Sequence, residues 1–155
     1  MKDTILFILK DVKLDIQYID LCNRYKDFDN RVNLNRKEAE PIIKSFDSHF
    51  KYLSKDRAFL REISLGEFIV RFFIGFKDGI VGFGYLIWKE GQSNNYYKGN
   101  LLTLSKLIDP KFEDKVEYNS PIATSLDDFK EILAKIFFLY KEIEKRFKEQ
   151  VIDIV

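Results

Sequence analysis

Hydrophobic and polar positions alternate most clearly between Glu67 and Trp88. Phe68, Val70, Phe72, Ile74 and Phe76 share one face of an extended strand. Glu67, Arg71 and Lys77 fall on the other, with Ile69, Phe73 and Gly75. A second apolar run, Ile80 to Trp88, follows after Asp78-Gly79. A tight two-residue turn needs positive φ at both central positions, which Asp and Gly tolerate. The pattern therefore predicts a β-hairpin over 67–88, with its fully apolar face toward the core and its mixed face wetted.

Helical periodicity governs both ends of the chain. Over 4–25, Ile5, Ile8, Leu9, Val12, Ile16 and Ile19 form one stripe. Phe7, Leu14, Tyr18, Leu21 and Tyr25 fall on roughly the opposite side at 100° per residue. The reading is one helix, either sandwiched in its own domain or offering its second side to another chain. A strand is the alternative at Leu14, Ile16 and Tyr18, which also alternate. A second helix, ending near Leu53, would carry Ile42, Ile43, Phe46, His49, Phe50 and Leu53 on one face. Asn35 with Glu38 resembles a capping box, but that start places Pro41 inside the helix. A start near Glu40 avoids the conflict.

Phe59 to Leu65 reads as a first strand, with a short helix as the alternative. Glu90 to Asn95 is the most loop-like stretch. Tyr96 to Leu107 is expected to return as another antiparallel strand ended by Asp109-Pro110, and a short strand is expected near Val116. The last helix, over 126–149, has Ser125 and Asp128 as its cap. Phe129, Ile132, Leu133, Ile136, Tyr140, Ile143 and Phe147 form its stripe. Phe138 points about 200° away from that stripe, beside Lys141 and Lys145. It is either covered by another element or an exposed anchor. With no repeat and no linker, the order indicates a single α+β domain over 1–155: N-terminal helices, a central antiparallel meander and a long C-terminal helix packed on the sheet.

Composition narrows the class. The chain has 155 residues, 46% hydrophobic and 33% charged, which is neither a disordered nor a membrane composition. Its 26 basic and 25 acidic residues leave no global field to steer it to a polyanion. Cys22 is the single cysteine, so no internal disulfide forms. Ile5 to Leu9 is too short for a secretory core, and no apolar stretch approaches the ~20 residues of a membrane span. The expectation is a soluble cytoplasmic protein.

Catalytic equipment is sparse. His49 is the only histidine, so any Ser-His or Cys-His couple must use it. Lying between Phe46 and Phe50, it reads as a core or boundary residue, and Cys22 reads as a buried thiol. The pairs Asp27 with Asp29 and Glu38 with Glu40 sit in polar segments. The first also lacks the glycine and distant glutamate of a calcium loop. The expectation is no enzyme, no metal and no cofactor. Surface contact is what remains. Asn94, Asn95, Tyr96, Tyr97 and Lys98 combine rigid rings with adaptable amides, as binding loops do. Phe138, Asp27 and Asp29 join them as candidate partner contacts.

Val81-Gly82-Phe83-Gly84-Tyr85-Leu86-Ile87-Trp88 resembles the RNA-recognition-motif signature, with Phe83 and Tyr85 at the stacking positions. A valine replaces the leading basic residue, and the partner stretch Leu6-Phe7-Ile8 lies too far away in sequence for that family's strand order. Residues 67–88 and 119–150, with the closing Pro-Ile-Ala-Thr-Ser-Leu-Asp-Asp-Phe, look like small immunity proteins of bacterial toxin systems. That resemblance implies a cytoplasmic protein that binds a cognate toxin one-to-one. The alternatives are a nucleic-acid-binding regulator using strand 81–88, or a homodimer through the second face of helix 4–25 with Tyr18 and Leu21 at its centre.

Overall fold

The computed structural model describes residues 2–91 and 96–154, with side chains at 5–91 and 99–150. It is an α+β fold in which helices cover one face of an antiparallel sheet. The segment 4–25 is two helices, α1 (Lys2–Asp11) and α2 (Leu14–Arg24), not one. Lys13 breaks them with φ 55° and ψ 46°, and Gln17 donates to the Val12 carbonyl at 2.7 Å. The break answers a packing conflict. In a straight helix the two apolar stripes would face opposite ways. With the turn at Lys13, Ile5, Ile8, Leu9 and Val12 are buried, and so are Leu14, Tyr18 and Leu21. Phe7 and Ile16 are left exposed. The Tyr18 and Leu21 face is core, as the sandwiched reading has it, and not the dimer surface offered as the alternative: Tyr18 stacks on Phe112 at 5.8 Å.

Helix α3 (Arg36–Phe46) starts at the Asn35 cap, whose side chain accepts the Glu38 N–H at 2.9 Å, and not near Glu40. Pro41 lies within it on the exposed side, where water can satisfy the Lys37 carbonyl that its ring leaves without a donor. The helix stops at Phe46 instead of running to Leu53, because the backbone becomes extended at Asp47. Phe46 and Phe50 still converge on one ring, each packing against Phe137.

Strands β1 (Lys51–Leu53), β2 (Ala58–Leu65), β3 (Phe68–Lys77), β4 (Ile80–Lys89) and β5 (Tyr96–Asn100) form one meander in sequence order. Asp78 and Gly79, at φ 52° and 80°, make the expected turn between β3 and β4. Val70, Phe72 and Ile74 on β3, and Val81, Phe83, Tyr85 and Ile87 on β4, are buried on the core face. Residues 101–107 are not a continuation of β5. Asn100 accepts the Thr103 N–H at 2.7 Å and starts α4 (Leu101–Ile108), which buries Leu101, Leu104 and Ser105. A 3-10 turn (Phe112–Lys115) follows, and Val116 joins no strand. The β-contact in this region comes later, at Ile122, which bridges to Ile80.

That bridge belongs to a stitch. The Ala123 N–H donates to the Gly79 carbonyl at 2.9 Å, the Val32 N–H to the Ala123 carbonyl at 3.0 Å, and the Ile122 N–H to the Tyr25 carbonyl at 2.8 Å. The hairpin turn, the α2–α3 connection and the approach to the last helix are thereby tied at one end of the sheet. Helix α5 (Leu126–Ile154) starts as expected, the Asp128 N–H donating to Ser125 Oγ at 3.0 Å. Its whole predicted stripe is buried, with Phe137 and Leu139 added. It lies on the sheet through Tyr140, whose ring is 4.4 Å from Phe72, and Phe129, 5.7 Å from Phe76. Among the described residues no helix is long and apolar enough to cross a membrane.

Candidate functional site

Among the described residues no helix packs over the second face of the sheet, whose side chains are half-buried to exposed, and the strand alternation decides what that face presents. From β3 come Ile69, Arg71, Phe73, Gly75 and Lys77; opposite them on β4 stand Trp88, Leu86, Gly84, Gly82 and Ile80. The Asp78-Gly79 turn sets this register, so Gly75 and Gly82 are direct cross-strand partners. A Cβ on Gly75 would meet nothing within 4 Å, and one on Gly82 would find only the Gly75 carbonyl, at 3.8 Å. The floor is bare backbone.

This floor belongs to an open groove of about 550 Å³, with Phe73, Leu86 and Ala58 among its walls and Asn100 and Thr103 at one end. A second recess of about 590 Å³ shares Gly75 and Gly82 and continues toward Arg57, Lys77, Asp78 and Ile80. Two recesses with a common floor make one channel across the sheet. On the rest of the face, Arg71 donates from Nε to Glu62 at 2.7 Å and rests over the Trp88 ring, 5.4 Å from its centroid. Exposed apolar surface of this kind occurs at protein, membrane and ligand contact sites.

Only part of the expected contact set shares that face: by register, Tyr96 stands opposite Trp88 and Lys98 opposite Leu86. Asn94 and Asn95 lie outside the described residues. Tyr96, Tyr97 and Lys98 belong to β5, the strand at the sheet's edge. Phe138 is 57% exposed on the side of α5 turned away from the sheet, so it is an exposed ring and not a covered one. Asp27 is committed to its own turn, accepting from the Asn30 backbone at 3.3 Å and side chain at 2.9 Å. Asp29 sits with Arg31, Asn33 and Asp78 in a polar depression at the stitched end of the hairpin. The predicted contacts therefore fall in three separate places.

The groove itself went unnoticed in the sequence, although the signal was present. Gly75 and Gly82 are equidistant from a two-residue turn, which places them opposite each other before any coordinates are known.

Other candidates are resolved by burial. Phe83 and Tyr85 are 3% and 1% exposed beneath the helices, so the stacking positions of the RNA-recognition resemblance face the core. His49 is not a core residue: its side chain is 79% exposed, with Nδ1 3.1 Å from Asp47. It projects outward because α3 has already ended, which removes the helical face it was assigned to. Asp47 is held from its other oxygen by Arg61 at 2.6 Å, and Arg61 also faces Glu144 at 3.7 Å. Cys22 is buried as expected, and loss of solvent pushes its thiol up to about 12. Among the described residues no group of three or more His, Cys, Asp or Glu side chains converges as a metal site.

No protein-family model, curated protein or solved structure matches this chain. Its own geometry carries the functional argument.

Proposed function

We propose that the chain is a non-enzymatic binding protein, an immunity protein that acts in the bacterial cytoplasm and neutralises a cognate toxin by direct one-to-one binding. The docking surface is the uncovered face of the sheet. The observation that supports this is the channel over Gly75 and Gly82, where bare backbone lets a partner approach more closely than any side chain would allow. A rigid sheet is also a preorganised surface, so little ordering entropy is lost on binding.

The test is co-expression with the product of the adjacent gene. A one-to-one complex should survive gel filtration, and Gly75→Val should disrupt it while leaving the chain folded, since a Cβ at Gly75 meets nothing within 4 Å and the position opens into the groove. Absence of a complex with that gene product argues against the toxin-neutralising role. A complex indifferent to Gly75→Val argues against this face as the docking surface.

A further inference from the structure

The charges around the channel indicate what kind of segment it takes. Arg71 is satisfied by Glu62. Arg57 and Lys77, both exposed, line the far recess and form no ion pair among the described residues. The one carboxylate lining that recess is Asp78. An almost neutral chain thus keeps an excess of positive charge at one end of an apolar slot.

Resting on the reading that this face is the docking surface, we infer that its occupant is an acidic protein segment bearing an aromatic side chain. The ring lies on the Gly75–Gly82 floor between Phe73 and Ile80, the side chains that flank it along the hairpin, and the flanking carboxylates reach Lys77 and Arg57. A flat ring buries a large area in a shallow slot while giving up only two side-chain torsions. Carboxylates at the basic end add orientation and selectivity.

A single-stranded nucleic acid suits the face less well. It needs ring faces to stack on and many cations to neutralise phosphates. Here Phe83 and Tyr85 are buried, Trp88 already carries Arg71, and the recess offers two cations against one carboxylate.

The experiment is an amide-resolved NMR titration of the full chain with the blocked peptide Asp-Trp-Asp-Glu. Controls are its amide counterpart Asn-Trp-Asn-Gln, its ring-deleted counterpart Asp-Ala-Asp-Glu, and oligouridylate. The acidic aromatic peptide should shift Gly75, Gly82 and Lys77; the amide control should bind at least ~5-fold more weakly, the size two exposed charge pairs can supply, and the ring-deleted control, which keeps its carboxylates but loses the ring's buried area, should also bind at least ~5-fold more weakly. The double variant Arg57→Glu with Lys77→Glu should lose the preference for the acidic peptide and still accept the amide peptide. Equal binding of the acidic and amide peptides overturns the charge inference but leaves the docking face intact. Shifts confined to residues outside the channel, no shifts with any peptide, or tighter binding of oligouridylate at the same glycines overturn the inference entirely. Failure of the toxin complex, by contrast, is read in the co-expression experiment and not here.

Discussion

The Tyr140 hydroxyl accepts the Gly84 N–H at 3.2 Å and donates to the Phe73 carbonyl, one strand away, at 2.8 Å. A single phenol thus ties α5 to both central strands from the core side. The Gly75–Gly82 channel lies on the opposite side of that same strand pair. Burial raises the Tyr140 pKa far above the ordinary phenol value, so the group stays a neutral donor and acceptor.

Tyr140→Phe keeps the ring against Phe72 and removes only the hydroxyl. It should cost about 1–2 kcal/mol, the usual consequence of deleting one partner from a buried hydrogen-bonded set. Urea unfolding measures it, and a midpoint within error of the parent would show that the bridge contributes nothing.

Two glycines on the same hairpin should respond in opposite ways. Gly79 has φ 80°, and a Cβ there would approach Arg31 Cβ and the Val32 carbonyl at 2.8 Å, so Gly79→Ala should destabilise by at least ~2 kcal/mol. Gly75 has open space, and replacing a strand glycine with a β-branched residue should hold or raise stability by up to ~1 kcal/mol in Gly75→Val. Thermal melts of the two variants should bracket the parent.

Lys13 occupies a conformation that glycine adopts without cost. Lys13→Gly should therefore stabilise the chain by about 0.5–1 kcal/mol while preserving the break between α1 and α2. A lower melting temperature would mean that Lys13 contributes something other than its backbone angle.

Stability should fall in alkali. Burial is the largest cause of the shift from the ordinary value near 9 to about 12 for the Cys22 thiol, and from 10 to about 12 for the Tyr25 phenol, which also donates to Glu131 at 2.6 Å. Because the folded values exceed the unfolded ones, the folded chain holds more protons above pH 9. The stabilisation is present in full below that pH and is lost as pH rises through the 9–12 window. Denaturation midpoints should be level from pH 7 to 8.5 and drop steadily above 9. Cys22 should also resist iodoacetamide at pH 8 until urea unfolds the chain.

Where sequence reading fell short, the cause was a competition it could not weigh. Both stripes over 4–25 were visible as residues, but only the core shows that each must be buried, which forces the turn at Lys13. Leu101, Leu104 and Ser105 have helical spacing behind an Asn100 cap. An alternating reading of Tyr96 to Leu107 obscured it, and the Thr103 hydrogen bond to Asn100 decides for the helix. His49 moved from core to solvent because α3 ends three residues before it.

Local chemistry alone determined the β3–β4 hairpin, its register and the long closing helix. A two-residue turn with positive φ at Asp78 and Gly79 admits one pairing, and seven apolar residues at helical spacing admit one buried side. Tertiary structure decided which elements would cover the apolar face that strand alternation had already marked as inward. That choice depends on where α1, α2 and α5 come to rest together, and it is set by a sum of burial over residues far apart in the chain, not by any run of neighbours.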